Sequence, residues 1–255
     1  MSDSEPSITF ERLTELEADG MTLIEGLPGH GLVAAIAVDQ ITKQLDLEHH
    51  GNILSDDFPP VTSFVDGRVQ DLVRVYGRTD PAVMTLQSDV ALPPYSFRAL
   101  SHCILEDLAP EFERAIFLAG APVQREDQIG KIIGVATTDD LEADLEDAEI
   151  ELAEGLGLIG GVTGALVSAC YHAELPAAVL IVGANPFIPD PGAARAVIEN
   201  ALEPLVQFDI DTTELQEQAD EIQRRMQQIA EQYQQMTQEQ EVDQPPQPAT
   251  PSMYQ

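Results

Sequence analysis

The chain contains 255 residues, of which 45 are Asp or Glu and 12 are Lys or Arg, so its formal net charge is −33. Hydrophobic residues make up 44% of it, an ordinary share for a globular protein. A disordered acidic chain would lack that apolar content, so we expect most of this chain to fold. Unaided binding to nucleic acid or to an anionic membrane is excluded, because both need a basic surface.

The basic residues are almost all Arg, since Lys43 and Lys131 are the only lysines. This excess of acids with so little Lys is typical of proteins from salt-loving archaea. No apolar stretch reaches the roughly 18 to 20 residues that span a bilayer, and the polar, acidic start of the chain does not read as a signal peptide. We therefore expect a cytoplasmic protein whose two cysteines, Cys103 and Cys170, are buried reduced thiols.

Short apolar runs of strand length recur along the first 210 residues, each bounded by Gly, Pro or Asp. Their nearly continuous apolar character predicts a parallel or mixed sheet that helices cover on both faces. The predicted strands lie at 21–25, 72–76, 82–87, 115–119, 131–136 and 178–183.

Helical patterns alternate with these runs, which indicates a layered α/β domain. Apolar residues at helical spacing predict helices over 32–45, 95–108 and 162–172. A further helix is expected to begin at Pro191, because Asp190 can cap it and proline suits the first helical position. The acid-rich stretch 139–154 predicts a surface helix with a solvated acidic face.

A glycine-rich turn follows the first predicted strand and opens the first helix: Gly26, Gly29 and Gly31 are spaced G-x-x-G-x-G. The backbone N–H groups of such a turn can bind an anion or a small ligand. The spacing differs from the dinucleotide fingerprint, and the Lys-Ser/Thr of a phosphate loop is absent. A tight strand-to-helix turn that needs glycine torsions is the simpler interpretation.

Catalytic and metal-binding patterns are weak in this sequence. It has no G-x-S-x-G elbow, and its five histidines have no strong metal-ligand spacing. His49 and His50 are adjacent, so we interpret them as part of a solvated loop. None of these patterns points to a particular reaction, cofactor or metal.

Three motifs give the sequence a family resemblance: Gly26-Leu27-Pro28-Gly29-x-Gly31, Gly160-Gly161-x-x-Gly164 and Pro189-Asp190-Pro191-x-Ala193-Ala194. In their order and context the chain resembles the proteasome assembly chaperone family, most of all its archaeal members. The resemblance implies a three-layer α/β/α fold similar to that of purine nucleoside phosphorylases. It also implies no established catalysis and a role with the proteasome core particle.

A heptad pattern follows the core region, because apolar residues are spaced alternately four and three apart. An isolated helix of this length would be marginal in water, so it must pack on its own domain or on another copy of the chain. We expect self-association into a homo-oligomer. The seam consists of Leu215, Ala219, Ile222, Met226, Ile229 and Tyr233, with Met236 continuing it.

The last three residues, Met253, Tyr254 and Gln255, match the hydrophobic-Tyr-X tail shared by proteasome activators and some assembly chaperones. That resemblance implies a tail that enters a pocket between neighbouring α subunits of the core particle. A Gln/Pro-rich tether, 238–251, would keep the tail extended and away from the folded domain.

The sequence thus predicts an α/β core domain over 1–210, an amphipathic helix over 211–240 and a disordered, flexible tail over 241–255. The predicted function is non-enzymatic: an assembly chaperone or activator whose partners are the α subunits of the proteasome core particle. The alternative is a small-molecule-binding protein or enzyme that uses the 26–31 turn on a phosphorylase-like fold.

Overall fold

The computed structural model describes residues 8–16 and 20–225, except for the side chain of Glu126. The chain divides into two compact units, Met1–Gln216 and Glu217–Gln255. The described strands all belong to the first unit. The domain boundaries expected at residues 210 and 240 stay a prediction.

A nine-stranded mixed sheet forms the centre of the first unit, and two further strands form a separate hairpin. The strands are β1 (Ile8–Arg12), β2 (Thr22–Gly26), β3 (Glu48–Ser55), β4 (Ser63–Val65), β5 (Arg68–Gln70), β6 (Val73–Thr79), β7 (Ala82–Ser88), β8 (Arg114–Pro122), β9 (Ile132–Ala136), β10 (Glu151–Leu152) and β11 (Ala177–Ala184). The order in the sheet is β1-β3-β6-β7-β2-β8-β11-β9-β10, and β4 and β5 form the hairpin. The strands β7, β2, β8 and β11 run parallel to one another.

Six helices accompany the sheet in this unit, as far as the described residues extend. They are α1 (Val33–Gln44), α2 (Phe97–Cys103), α3 (Asp139–Asp147), α4 (Gly161–His172), α5 (Pro191–Val197) and α6 (Glu203–Val206). A π-helical segment extends α2 through Ile104–Leu108, and another, Ile198–Leu202, joins α5 to α6. Residues 213–225 are also helical.

Two hydrophobic clusters, one on each face of the sheet, define three layers. Residues of α1, α3, α5 and α6 pack in one cluster, and residues of α2 and α4 pack in the other. β2 contributes to both, because Ile24 faces the first cluster and Leu23 the second. The predicted α/β fold with a helix-covered sheet is therefore confirmed.

The six predicted apolar strands all form, each within a few residues of the expected bounds. The start of α5 is also confirmed, since the Asp190 side chain accepts a hydrogen bond from the N–H of Ala193 at 3.0 Å. The acidic helix is shorter than predicted and ends at Asp147, two residues before Glu149 takes a left-handed φ of 59°.

The solvated loop predicted at His49 and His50 is wrong. Both residues belong to β3, and His50 is fully buried. β3 was not predicted because it contains buried polar side chains, whereas the predicted strands were found as apolar runs. Contacts with other polar groups, such as that of His50 with Glu111, offset the cost of burying these side chains. His49 lies 2.8 Å from the side-chain oxygen of Asn52 and stacks on Tyr76.

Candidate functional site

The 26–31 turn lies where β2 ends and α1 begins, at the carboxyl end of the parallel strands. Two of its glycines have clear structural reasons. A Cβ at Gly26 would lie 2.5 Å from the Cβ of Val38, so glycine lets α1 pack closely on the sheet. Gly31 has a left-handed φ of 63°, which favours glycine. Gly29 faces open space.

A cleft of about 530 Å³ opens beside this turn, lined by residues 28–32, Ala91 and residues 186–189. Most of its wall is apolar, and His30 is the only ionisable side chain that lines it. The predicted ligand turn therefore does border a cleft. Its walls suit an apolar group better than a phosphate, because they offer no Lys or Arg.

Glu25 lies directly before the turn and is fully buried, a feature that the sequence reasoning missed. Its Oε1 accepts the N–H of Leu27 at 2.7 Å, and its Oε2 lies 3.5 Å from the hydroxyl of Thr163 in α4. Burial raises the pKa of Glu25 from 4.5 to about 8, while its hydrogen bonds act in the opposite direction. The residue therefore holds the turn and the start of α4 together as a largely neutral acid at pH 7.

Asp190 connects the far wall of the cleft to the turn. Its backbone N–H donates to the carbonyl of Gly31 at 2.8 Å, and its Oδ2 accepts the N–H of Asn185 at the same distance. Because Oδ1 also caps α5, one side chain fixes both the loop and the helix that follow β11.

A second buried polar cluster ties the edge strand β1 to the body of the unit. The Nε2 atom of His50 lies 2.7 Å from Oε2 of Glu111, and Arg12 forms an ion pair with the same carboxylate. Thr14 contacts the other ring nitrogen of His50 at 3.4 Å. His50 is fully buried, whereas the side chain of Arg12 is 40% exposed, so the cluster links the interior of the unit to its surface at β1.

Nucleophile and metal chemistry receive little support from the described residues. Cys103 and Cys170 are buried and unbridged, as expected. Burial raises the pKa of the Cys103 thiol to about 12 and that of Cys170 to about 11, so neither is activated. Within 8–16 and 20–225, no group of three or more His, Cys, Asp or Glu could hold a metal ion.

The seam residues fall into three sets. Leu215 is 2% exposed and packs in the hydrophobic core of the first unit. Its burial is therefore explained without a contact to another copy of the chain. Ala219 and Ile222 have intermediate exposure. Met226, Ile229 and Tyr233 lie outside the described residues, as does Met236. The seam as an oligomer contact stays a prediction.

The tail residues Met253, Tyr254 and Gln255 also lie outside the described residues. Their predicted docking therefore stays a prediction. No helix in the described part of the chain is long and apolar enough to cross a membrane.

These observations define an α/β protein with a mixed sheet between two helical layers and an apolar cleft at the carboxyl end of its parallel strands. The chain belongs to the PAC2 family, whose model matches residues 23–230. An uncharacterised protein of Methanocaldococcus jannaschii is 26% identical over 227 residues, covering 89% of this chain and 92% of its relative.

Two solved structures from Pyrococcus furiosus share the fold. PbaA, described as an archaeal homologue of proteasome-assembly chaperone, has a TM-score of 0.79 and 25% identity, covering 92% of this chain and 97% of its own. PbaB, described as an archaeal proteasome activator, has the same TM-score and 21% identity, covering 88% and 99%.

Proposed function

We propose that this protein binds the proteasome core particle and acts, without catalysis, as an assembly chaperone or as a gate-opening activator. The observation that carries the proposal is the similarity to PbaA over 92% of this chain at a TM-score of 0.79, in a family whose matched region spans 23–230. The thiols of Cys103 and Cys170, whose pKa values burial raises, are not activated as nucleophiles.

The proposed contact is made by the tail, with Met253, Tyr254 and Gln255 entering pockets between neighbouring α subunits. Tyr254 offers a ring to bury and a hydroxyl to hydrogen-bond, and Met253 offers an adaptable apolar chain. The carboxylate of Gln255 would pair with a basic group of the pocket. An oligomer would present several tails together, and this multivalency would turn weak single-tail binding into avidity.

Surface plasmon resonance with purified core particle, at the working salt of the protein, tests the tail. Tyr254→Ala should weaken binding per tail by about 2 kcal/mol, or roughly thirtyfold, as expected of a hot-spot aromatic residue. A residue appended after Gln255 should weaken binding almost as much, because it displaces the carboxylate. Gln247→Ala in the tether is the matched control and should bind like wild type.

A pull-down separates the two proposed roles. Full-length protein that recovers free α subunits would act in assembly, and protein that recovers the mature core particle would act in activation. If Tyr254→Ala and the extended chain both bind like wild type, the tail is not the contact. If neither subunits nor core particle are recovered at all, the proteasome role itself is wrong.

The small-molecule alternative rests on the 530 Å³ cleft beside the 26–31 turn. A ligand in that cleft would raise the melting temperature of the first unit, and truncation of the tail would not change the rise. A screen of metabolites by thermal shift, run on full-length and tail-truncated protein, distinguishes this alternative from tail docking.

A further inference from the structure

A second groove lies between α2 and α4, on the face of the sheet that these two helices cover. It is lined by residues of both helices and of the turns beside them, and it shares no lining residue with the cleft beside the 26–31 turn. Its volume is about 690 Å³, within the range of pockets that hold small molecules. The proposed tail contact makes no use of this groove.

The walls of the groove differ in size. Phe97 and Leu105 of α2 are half-buried and supply apolar surface. The side chains that α4 places opposite them are small, and they are those of Ala165, Ser168 and Ala169. Because small side chains leave the space between the helices open, the apolar body of a ligand could be buried there.

The charge of the lining is the reverse of that of the chain. Arg98, His102 and His172 line the groove, and none of its lining residues is Asp or Glu. The whole chain, by contrast, has 45 acids and 12 Lys or Arg. Glu106 and Glu174 directly follow lining residues in the sequence but do not line the groove themselves. The groove therefore suits an anionic group.

Arg98 has no partner of its own in the part of the chain that the structure describes. Seven of the twelve Lys and Arg side chains form ion pairs there, and Arg98 is not among them. A guanidinium is always charged and binds carboxylate, sulfonate or phosphate oxygens through several N–H groups. His102 lies four residues further along the same side of α2. Its Nδ1 is 3.1 Å from the carboxylate of Glu106, which leaves Nε2 as the ring nitrogen available to a ligand.

We propose that this groove binds a small organic anion, with the acidic group at Arg98 and His102 and an apolar body between the helices. The net charge of −33 selects the size of the ligand, because an acidic protein or a nucleic acid would bring a large negative surface against it. A small anion meets the local cations without that repulsion. A cationic ligand would instead face Arg98 with no carboxylate in the lining to compensate. This inference does not depend on the tail, on the heptad seam or on the 26–31 turn.

Two fluorescent probes with nearly the same apolar body test the proposal. Anilinonaphthalene sulfonate carries a negative charge, and phenylnaphthylamine is its neutral counterpart. Each is titrated into full-length protein at the lowest salt concentration at which circular dichroism shows the folded protein, because salt screens ion pairing. Wild type should bind both probes saturably, and the sulfonate more tightly.

Three variants locate the site. Arg98→Gln should weaken binding of the sulfonate roughly tenfold, as expected for the loss of a charge-assisted hydrogen bond, and leave the neutral probe unchanged. Ser168→Phe fills the groove from an exposed position and should weaken both probes. Arg68→Gln is the matched control and should bind both like wild type, because Arg68 is also exposed and without an ion pair among the described residues but lies in β5.

Phe187→Ser changes the cleft beside the 26–31 turn and should also bind both probes like wild type. Circular dichroism must show an unchanged fold in each variant; if Ser168→Phe perturbs it, Ser168→Leu replaces it. The proposal is overturned if Arg98→Gln binds the sulfonate like wild type or loses both probes equally. Sulfonate binding that is lost in Phe187→Ser but kept in the Ser168 variant would overturn it as well and assign the site to the cleft.

Discussion

Thr163 in α4 and Glu25 in β2 are 138 residues apart in the chain, yet the hydroxyl of one lies 3.5 Å from the carboxyl group of the other. The contact joins two glycine-rich stretches, because Glu25 precedes the 26–31 turn and Thr163 follows Gly160 and Gly161. The side chain of Glu25 also accepts the N–H of Leu27. One buried carboxyl group therefore contacts both stretches at the carboxyl end of the parallel strands.

Replacing Glu25 with Gln should change how stability depends on pH. The folded state raises the pKa of Glu25 from 4.5 to about 8, so this group stabilises the fold fully below 4.5 and loses that contribution as the pH rises through 8. Gln does not titrate. The unfolding free energy of Glu25→Gln relative to wild type should therefore rise between about pH 5 and 8, by at most about 1.4 kcal/mol per pH unit.

Urea denaturation at a series of pH values in constant molar salt measures this difference. Glu154→Gln, at an exposed carboxyl group, is the matched control and should run parallel to wild type across the whole range. Parallel curves for Glu25→Gln as well would mean that Glu25 is ionised in the folded protein.

Most of the sheet was predictable from sequence because its central strands are buried on both faces and so read as apolar runs. β3 was missed because His49, His50 and Asn52 break that pattern, and only tertiary contacts with Glu111 and Tyr76 explain their position. The end of α3 was predicted too late because Glu149 adopts a left-handed φ, which breaks the helix. Nothing in the acidic, helix-favouring sequence around Glu149 indicates this backbone conformation.

The candidate site was predictable only in part. The glycine turn stood out by its spacing, but the cleft needs residues 186–189 and Ala91, which only the folded topology brings to it. Glu25 did carry a signal, because an acid at the end of an otherwise apolar strand is expensive to bury.

Gly120→Ala should destabilise the 26–31 turn. A Cβ at Gly120 would lie 2.1 Å from the carbonyl oxygen of His30, and a backbone atom cannot swing away as a flexible side chain can. Overpacking of this kind typically costs about 1 to 3 kcal/mol. Gly157→Ala is the matched control, since no atom lies within 4 Å of its added Cβ. Chemical denaturation of both variants should show a loss for Gly120→Ala alone; equal stabilities would mean that the turn moves freely.

Asp190→Ala should loosen the loop after β11 as well as the start of α5. The side chain accepts hydrogen bonds from the N–H groups of Ala193 and Asn185, at 3.0 and 2.8 Å. Loss of an N-cap alone costs about 0.5 to 2 kcal/mol, and the second bond should add to that. Asp190→Asn keeps one carbonyl oxygen and should lose less. Hydrogen exchange should report faster exchange at Asn185 and Ala193 in Asp190→Ala, and unchanged exchange there would refute the dual role.

The final prediction concerns salt. With a net charge of −33, self-repulsion should weaken the fold when ions are removed, and the exposed acids of α3 concentrate that repulsion. The Debye length falls from roughly 30 Å at 0.01 M to about 3 Å at 1 M, so the melting temperature should rise strongly between these concentrations.

Glu146→Lys/Asp147→Lys lowers the repulsion and places cations at the carboxyl end of α3, where the helix dipole favours them. This variant should melt higher than wild type at low salt, and the two should converge at 1 M. Differential scanning fluorimetry across the salt series measures both effects, and a flat melting temperature for wild type would show that repulsion between carboxylates does not limit this fold.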